Sequence, residues 1–164
     1  MRKKTIADPR PSWDAYFMEI AQVTATRANC SRRKVAAVVV FENQIISTGY
    51  NGTPRGVRNC FEGGCARCAG TAPSGASLEE CICVHAEQNA ICQAAKRGIP
   101  IEGGTLYCRM TPCRTCAMLI INCGIVRVVC QRRYHDADDS EAMFKTAGVK
   151  LEYINNEIQQ YDNQ

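Results

Sequence analysis

Helix-like and strand-like apolar periods alternate along most of this chain after an opening hairpin pattern. That order predicts an α/β fold, with a central mixed sheet of about five strands and helices on both faces. Three observations carry the prediction. A β-branched run at 35–41 turns back on itself at 44–48; apolar residues recur at helical spacing in 13–27, 84–97, 114–122 and 138–147; and short apolar runs at 105–109, 125–130 and 150–154 fall between the helices. At 164 residues the chain fits a single domain spanning 1–164, long enough for a sizeable core.

In the first helix Trp13, Tyr16, Phe17, Ile20 and Val23 share one face. Val35 to Phe41 then reads as a strand bounded by Glu42-Asn43, with Gln44 to Thr48 returning from it. Gly49 to Gly56 is expected to break regular structure. From about 57 to 82 the chain is rich in Gly, Cys, Pro and Ser, an insertion that a compact domain tolerates only when something pins it or uses it. Gly98 with Pro100, Gly124 and Gly148 stop the three later helices. His85 and Glu87 therefore fall in the first turn of one helix, and Cys113 and Cys116 in the first turn of the next, where Pro112 suits a helix start.

The net charge of +4 is spread over small groups at Met1 to Lys4, Arg32 to Lys34 and Arg132-Arg133, which suits an anionic small molecule as well as a polynucleotide. Aromatic residues are 7% of the chain and do not interleave with the basic groups, so a stacking groove for single strands is disfavoured. No apolar stretch follows Arg2-Lys3-Lys4 and no long uncharged apolar run occurs; neither a signal peptide nor a membrane span is expected. Without a secretory signal, the twelve cysteines at short spacings point to metal ligands and reduced thiols in the cytoplasm. Cys92, Cys108, Cys123 and Cys130 sit in apolar patterns and read as small hydrophobes.

The chemistry lies in His85-Ala86-Glu87 and Pro112-Cys113-Arg114-Thr115-Cys116. One imidazole and two thiolates fill three corners of a tetrahedral Zn²⁺ and leave the fourth for water, the open arrangement of a catalytic zinc. Helix N-termini favour the thiolate forms. Zinc lowers the pKa of its water to about 7, and Glu87 is placed to move the protons. The opposing reading is a closed site completed by a fourth cysteine, with Glu87 a bystander in a non-catalytic zinc-binding module. A carboxylate beside an open coordination position argues against it.

His-x-Glu followed by Pro-Cys-x-x-Cys is the signature of zinc-dependent nucleobase deaminases. With Lys34-Val35-Ala36-Ala37-Val38, Gly49-Tyr50-Asn51-Gly52, the run His85 to Ile91, Thr111 to Ala117, and Tyr134-His135-Asp136, the chain resembles the cytidine and deoxycytidylate deaminase superfamily, and within it the deoxycytidylate (dCMP) deaminases. The resemblance spans Lys34 to about Gly148. It implies a three-layer α/β/α fold, Zn²⁺-dependent hydrolysis of dCMP to dUMP that feeds thymidylate synthesis, and a homo-hexamer. It also implies activation by dCTP with Mg²⁺ and inhibition by dTTP, with Gly49, Tyr50, Gly52 and Arg55 as the effector loop. By the same analogy Asn51 binds the sugar hydroxyl, the backbone at Ala86 reads the base edge and Tyr134 lines the pocket. Taken alone, Asn51 reads as a turn residue and Tyr134 as packing. His135 reads as structural. A 5′-phosphate needs charge-assisted donors, for which Arg27, Arg33 and Lys34 are candidates, Lys34 being carried forward.

Cys30, Cys60, Cys65, Cys68, Cys81 and Cys83 are too many for apolar filler in so polar a stretch, and a second, closed zinc accounts for them. Spacing alone offers Cys65-x-x-Cys68 with Cys81-x-Cys83. The resemblance instead offers Cys30, Cys60 and Cys83 with Cys68, Cys65 or Cys81 as the fourth, and the set Cys30, Cys60, Cys68, Cys83 is preferred. The rival enzymatic reading is a deaminase of transfer RNA or single-stranded DNA, which would share the same catalytic core.

Overall fold

The computed structural model describes residues 8–73, 76–155 and 158–159; the basic group at Met1 to Lys4 lies outside them. Ser12 caps the first helix, α1 (Trp13–Ala25), its Oγ accepting from the Ala15 N–H at 3.2 Å. The buried stripe of α1 is Phe17, Met18, Ala21 and Ala25, rotated from the expected face. Trp13 and Val23 stay exposed. Trp13 instead stacks on Phe17 with ring centroids 5.6 Å apart.

The hairpin forms as expected from β1 (Ala36–Phe41) and β2 (Gln44–Tyr50). Glu42 and Asn43 both have positive φ, 48° and 60°, the two-residue turn whose twist matches that of paired strands. Gly49 and Tyr50 belong to β2, so regular structure ends later than the glycines suggested. The insertion is not featureless either, for it holds 3₁₀ turns at Cys60–Glu62 and Leu78–Glu80 and a single-turn helix, α2 (Ala66–Ala69).

The remaining elements alternate. They are α3 (Ala86–Arg97), β3 (Thr105–Met110), α4 (Arg114–Asn122), β4 (Arg127–Tyr134), α5 (Asp138–Ala147), β5 (Lys150–Tyr153) and a short β6 (Ile158–Gln159). The sheet order is β2-β1-β3-β4-β5, with β1 antiparallel to both neighbours and β3, β4 and β5 mutually parallel. β4 runs past Cys130, where the apolar pattern stops, because Arg133 and Tyr134 pair with β6.

Alternation along the strands builds two cores. Val38, Val40, Tyr107 and Val129 face Phe17, Met18 and Ala21 of α1. Ala37, Val39, Leu106, Cys108, Val128 and Cys130 face Ala90, Ala94, Ala117, Ile120 and Phe144 of α3, α4 and α5. Three layers result. Arg127 ties α1 to the sheet, pairing with Asp14 at 2.8 Å and Glu152 at 2.5 Å while the Tyr107 hydroxyl donates to Asp14 at 2.7 Å. Among the described residues, no helix is long and apolar enough to cross a membrane.

Candidate active site

Parallel β3 and β4 end on the same side of the sheet, and the helices beside them begin there. His85 is the N-cap of α3 and Cys113 the N-cap of α4, with backbone ψ of 154° and 167°. Both therefore stand one residue outside the helical turns the sequence suggested, and Pro112 precedes the cap instead of opening the helix. An extended cap residue leaves its side chain at the helix mouth, where Cys116 from the first turn of α4 joins it. The positive ends of two helices thus face the same ligand group. A capping interaction fixes His85, whose N–H donates to Gln88 Oε1 at 3.0 Å.

His85 Nδ1 lies 3.4 Å from the Sγ of Cys113 and 3.4 Å from that of Cys116. Tetrahedral zinc with bonds of about 2.3 Å to sulfur and 2.0–2.1 Å to nitrogen sets S···N edges of about 3.6 Å, so one ion fits all three donors. Glu87, 6% exposed, places Oε2 3.8 Å from Cys116 Sγ. Burial raises the carboxyl's pKa, opposed by the neighbouring His85 charge. The Cys113 thiol is lowered to about 4 by its hydrogen bonds from Cys116 and His85, and the Cys116 thiol is raised by sharing the proton with Cys113. An imidazole, two thiols and a buried carboxyl make a donor set suited to a metal with a proton carrier beside it.

Gly49 explains how α3 comes so close to the sheet. A Cβ there would sit 2.2 Å from the Ala86 carbonyl oxygen and 2.3 Å from the Ala90 nitrogen, inside the helix backbone. Val84 and Gly52 then exchange backbone hydrogen bonds of 2.8 and 3.2 Å, which carries the approach to His85. Asn89 Nδ2 adds a bond to the Tyr50 carbonyl at 2.7 Å. Of the expected effector loop, Gly49, Tyr50 and Gly52 thus serve strand and bridge pairing, while Arg55 is exposed in a turn.

Asn51 lies on this same segment. Its Oδ1 accepts from the Val35 N–H and its Nδ2 donates to the Arg33 carbonyl, both at 2.9 Å. Tyr134 is half-buried, with the His135 ring 4.3 Å from its own and the Arg33 guanidinium 5.9 Å from its centroid. Its N–H donates to Thr111 Oγ1 at 3.1 Å, which ties it to the segment before Cys113. Asn51, Arg33 and Tyr134 are therefore contiguous. Ala86 is buried, and Lys34 and Arg27 are exposed. Sequence reasoning missed Gln88, Asn89 and Thr111 as positioning residues; only Gln88, three residues after a cap, left a local signal.

A second sulfur cluster occupies the insertion. Cys30, Cys60, Cys68 and Cys83 bring their Sγ atoms within 4.8 Å of one another, and so do Cys65, Cys68, Cys81 and Cys83. The spacing-based and resemblance-based sets are both present and share two members. None of these cysteines is in a disulfide.

A model of the cytidine and deoxycytidylate deaminase zinc-binding region matches residues 11–132. A deoxycytidylate deaminase of Schizosaccharomyces pombe is 43% identical over 158 residues, covering 94% of this chain and 49% of that protein. One from Mycobacterium phage D29 is 42% identical over 125 residues, covering 73% of this chain and 94% of its own length. The chain spans about half the length of the two yeast relatives it matches. The crystal structure of dCMP deaminase from the cyanophage S-TIM5 in complex with dCMP and dUMP is similar with a TM-score of 0.72 at 29% identity, covering 90% of this chain and 100% of that one. With the ligand triad, the buried glutamate and the mixed sheet in place, these likenesses show that the chain belongs to the cytidine and deoxycytidylate deaminase zinc-binding family.

Proposed function

We propose that this chain hydrolyses dCMP to dUMP and ammonia, furnishing dUMP for thymidylate synthesis. The observation that carries the reading is the meeting of His85 Nδ1 with the Cys113 and Cys116 sulfurs at 3.4 Å beside the buried Glu87 carboxyl. Support for the substrate comes from relatives named deoxycytidylate deaminase and from the cyanophage enzyme bound to dCMP and dUMP.

His85, Cys113 and Cys116 would hold Zn²⁺, which when bound supplies the Lewis acidity that makes water a nucleophile near neutral pH. Glu87 takes a proton from the attacking water and delivers it to ring N3, then passes the second to the departing amine. The balance closes: the water oxygen ends on C4, one proton on N3 and one on ammonia. Burial keeps Glu87 out of bulk water, so the protons it carries stay with the ring. We assign Asn51, the backbone at Ala86, and Tyr134 to the nucleoside. Its phosphate is assigned to the basic segment Arg33-Lys34, whose Arg33 lies against the Tyr134 ring.

Control is assigned on the family resemblance: activation by dCTP with Mg²⁺, inhibition by dTTP, and a hexamer through which both act. Arg55 is the exposed cation available to a triphosphate in that segment.

Zinc-loaded protein offered dCMP, deoxycytidine and a cytosine-containing oligonucleotide in parallel tests the proposal. Preferred release of ammonia from dCMP is expected, because the phosphate gives remote binding energy that orients the ring. Equal efficiency on deoxycytidine would reassign the substrate to the nucleoside, and preference for the oligonucleotide would reassign it to a polynucleotide.

A further inference from the structure

Among the described residues, the cysteine lobe is built around sulfur and not around aliphatic side chains. Its buried cluster is Cys30, Cys60, Cys65, Cys68 and Cys83, with Cys81 packed against it. The Sγ atoms of Cys30 and Cys68 are 3.9 Å apart, as are those of Cys65 and Cys81. A disulfide would need about 2.05 Å, whereas the edge of a tetrahedron of sulfurs around zinc is about 3.8 Å. One such edge lies in each of the two four-cysteine groups.

The two groups divide the six sulfurs in a specific way. Cys30 and Cys60 belong to one, Cys65 and Cys81 to the other, and Cys68 and Cys83 to both. Two tetrahedra sharing one edge require that division. A single ion at either group would leave two thiols unused against it, Cys65 and Cys81 in one case and Cys30 and Cys60 in the other. We infer that the lobe holds a binuclear zinc–thiolate cluster, with Cys30 and Cys60 completing one site, Cys65 and Cys81 the other, and Cys68 and Cys83 bridging both ions. This goes beyond a single closed zinc and is independent of the substrate assignment.

Charge and hydrogen bonding agree. Two Zn²⁺ displace the protons of all six thiols and leave the cluster with a net charge of −2. Arg32 donates to the carbonyl oxygens of Cys68, Gly70 and Ala72 at 3.2, 2.7 and 2.5 Å, and Arg67, 8% exposed, donates to those of Ala76 and Pro73 at 3.0 and 3.3 Å. Among the described residues neither arginine pairs with a carboxylate. Two cations are thus fixed in the same lobe by neutral groups, on the segments that carry Cys30 and Cys68. One sulfur also receives donors that suit a thiolate, the Ser31 N–H reaching Cys60 Sγ at 3.4 Å and the Ser31 hydroxyl lying 3.5 Å from it.

The test is ¹¹³Cd NMR of the intact 164-residue chain after exchange of its zinc, with zinc per chain counted by native mass spectrometry. Three zinc ions per chain are expected. The cadmium form should show two all-sulfur resonances that split each other through the shared thiolates, apart from the signal of the site that includes His85 nitrogen. The Cys65→Ser/Cys81→Ser variant should lose one ion and the splitting while keeping the other all-sulfur signal. A single all-sulfur resonance, or two without mutual splitting, in the unaltered protein would overturn the cluster even if the variant does not fold. Since only all-sulfur signals are read, that outcome leaves the deaminase assignment untouched.

Discussion

The two sulfur-containing clusters of this protein stand on opposite scaffolds. His85, Cys113 and Cys116 are set by helix caps and the first turn of α4, so their geometry is inherited from the sheet and α3 and α4. The lobe cysteines lie mainly on loops, 3₁₀ turns and the single turn of α2, with little regular structure to hold them. The first brings one imidazole and two thiols together with a buried carboxyl beside them. The second is built from cysteine sulfurs throughout. A site that a fold holds in place can leave a coordination position open for chemistry, whereas a site that must itself hold the fold has to close. The two meet at Cys83-Val84-His85, where the last lobe cysteine stands two residues before His85.

Separating activity from stability breaks this comparison most directly. His85→Ala should abolish deamination, a loss of at least the ~10²–10⁴-fold that proton transfer alone contributes, and remove one metal ion while the melting temperature changes little. Stripping the lobe with a strong chelator should do the reverse to stability, because a metal bound there would hold together a lobe whose described buried cluster is cysteine. Calorimetry before and after chelation of the His85→Ala variant measures the second effect alone. Equal melting temperatures would refute the structural role of the lobe metal.

A smaller effect should come from the scaffold of the first site. Gly49→Ala introduces a Cβ where the backbone of α3 already lies, at 2.2 Å from an oxygen and 2.3 Å from a nitrogen. Destabilisation of about 1–3 kcal/mol is expected, as for other overpacked positions. Lowered kcat should accompany it at unchanged zinc content, since α3 carries His85 and Glu87. Denaturant titration with a zinc assay checks both.

The smallest effect is expected at Asp14, on the α1 side of the sheet. The Arg127 guanidinium, helped by the Tyr107 hydroxyl, holds the Asp14 carboxyl below its ordinary range. A depressed carboxylate contributes stability above its unfolded pKa, near 3.9, and loses it as pH falls through the lower folded value. Asp14→Asn should therefore flatten the stability curve below about pH 4 and cost little more than a surface ion pair at neutral pH, the site being partly exposed. Unfolding curves across that pH range decide it, and high salt should shrink the difference.

The meeting of His85, Cys113 and Cys116 was legible because its signals are local: His-x-Glu and Pro-Cys-x-x-Cys each sit within a few residues. The hairpin and later helices were legible from period and glycine stops. Cap placement of His85 and Cys113 was not, since one residue decides whether a side chain leaves a helix or its mouth. The stripe of α1 was misjudged because Trp13 and Val23 are apolar yet exposed. Gly49 read as a breaker because the close approach that requires a glycine comes from Ala86 and Ala90, far along the chain. The sharing of Cys68 and Cys83 was beyond spacing, for it joins Cys30 to one residue 38 positions away and to another farther still.

The central claim is that Glu87 moves protons at a site whose ligands are His85, Cys113 and Cys116. Steady-state turnover of dCMP by Glu87→Gln, measured beside zinc content and circular dichroism, tests it most directly. Folding and zinc unchanged with kcat reduced by about 10²–10⁴-fold is the predicted result. Near-normal turnover with zinc in place would contradict the account, since a neutral amide cannot carry the proton from water to the ring.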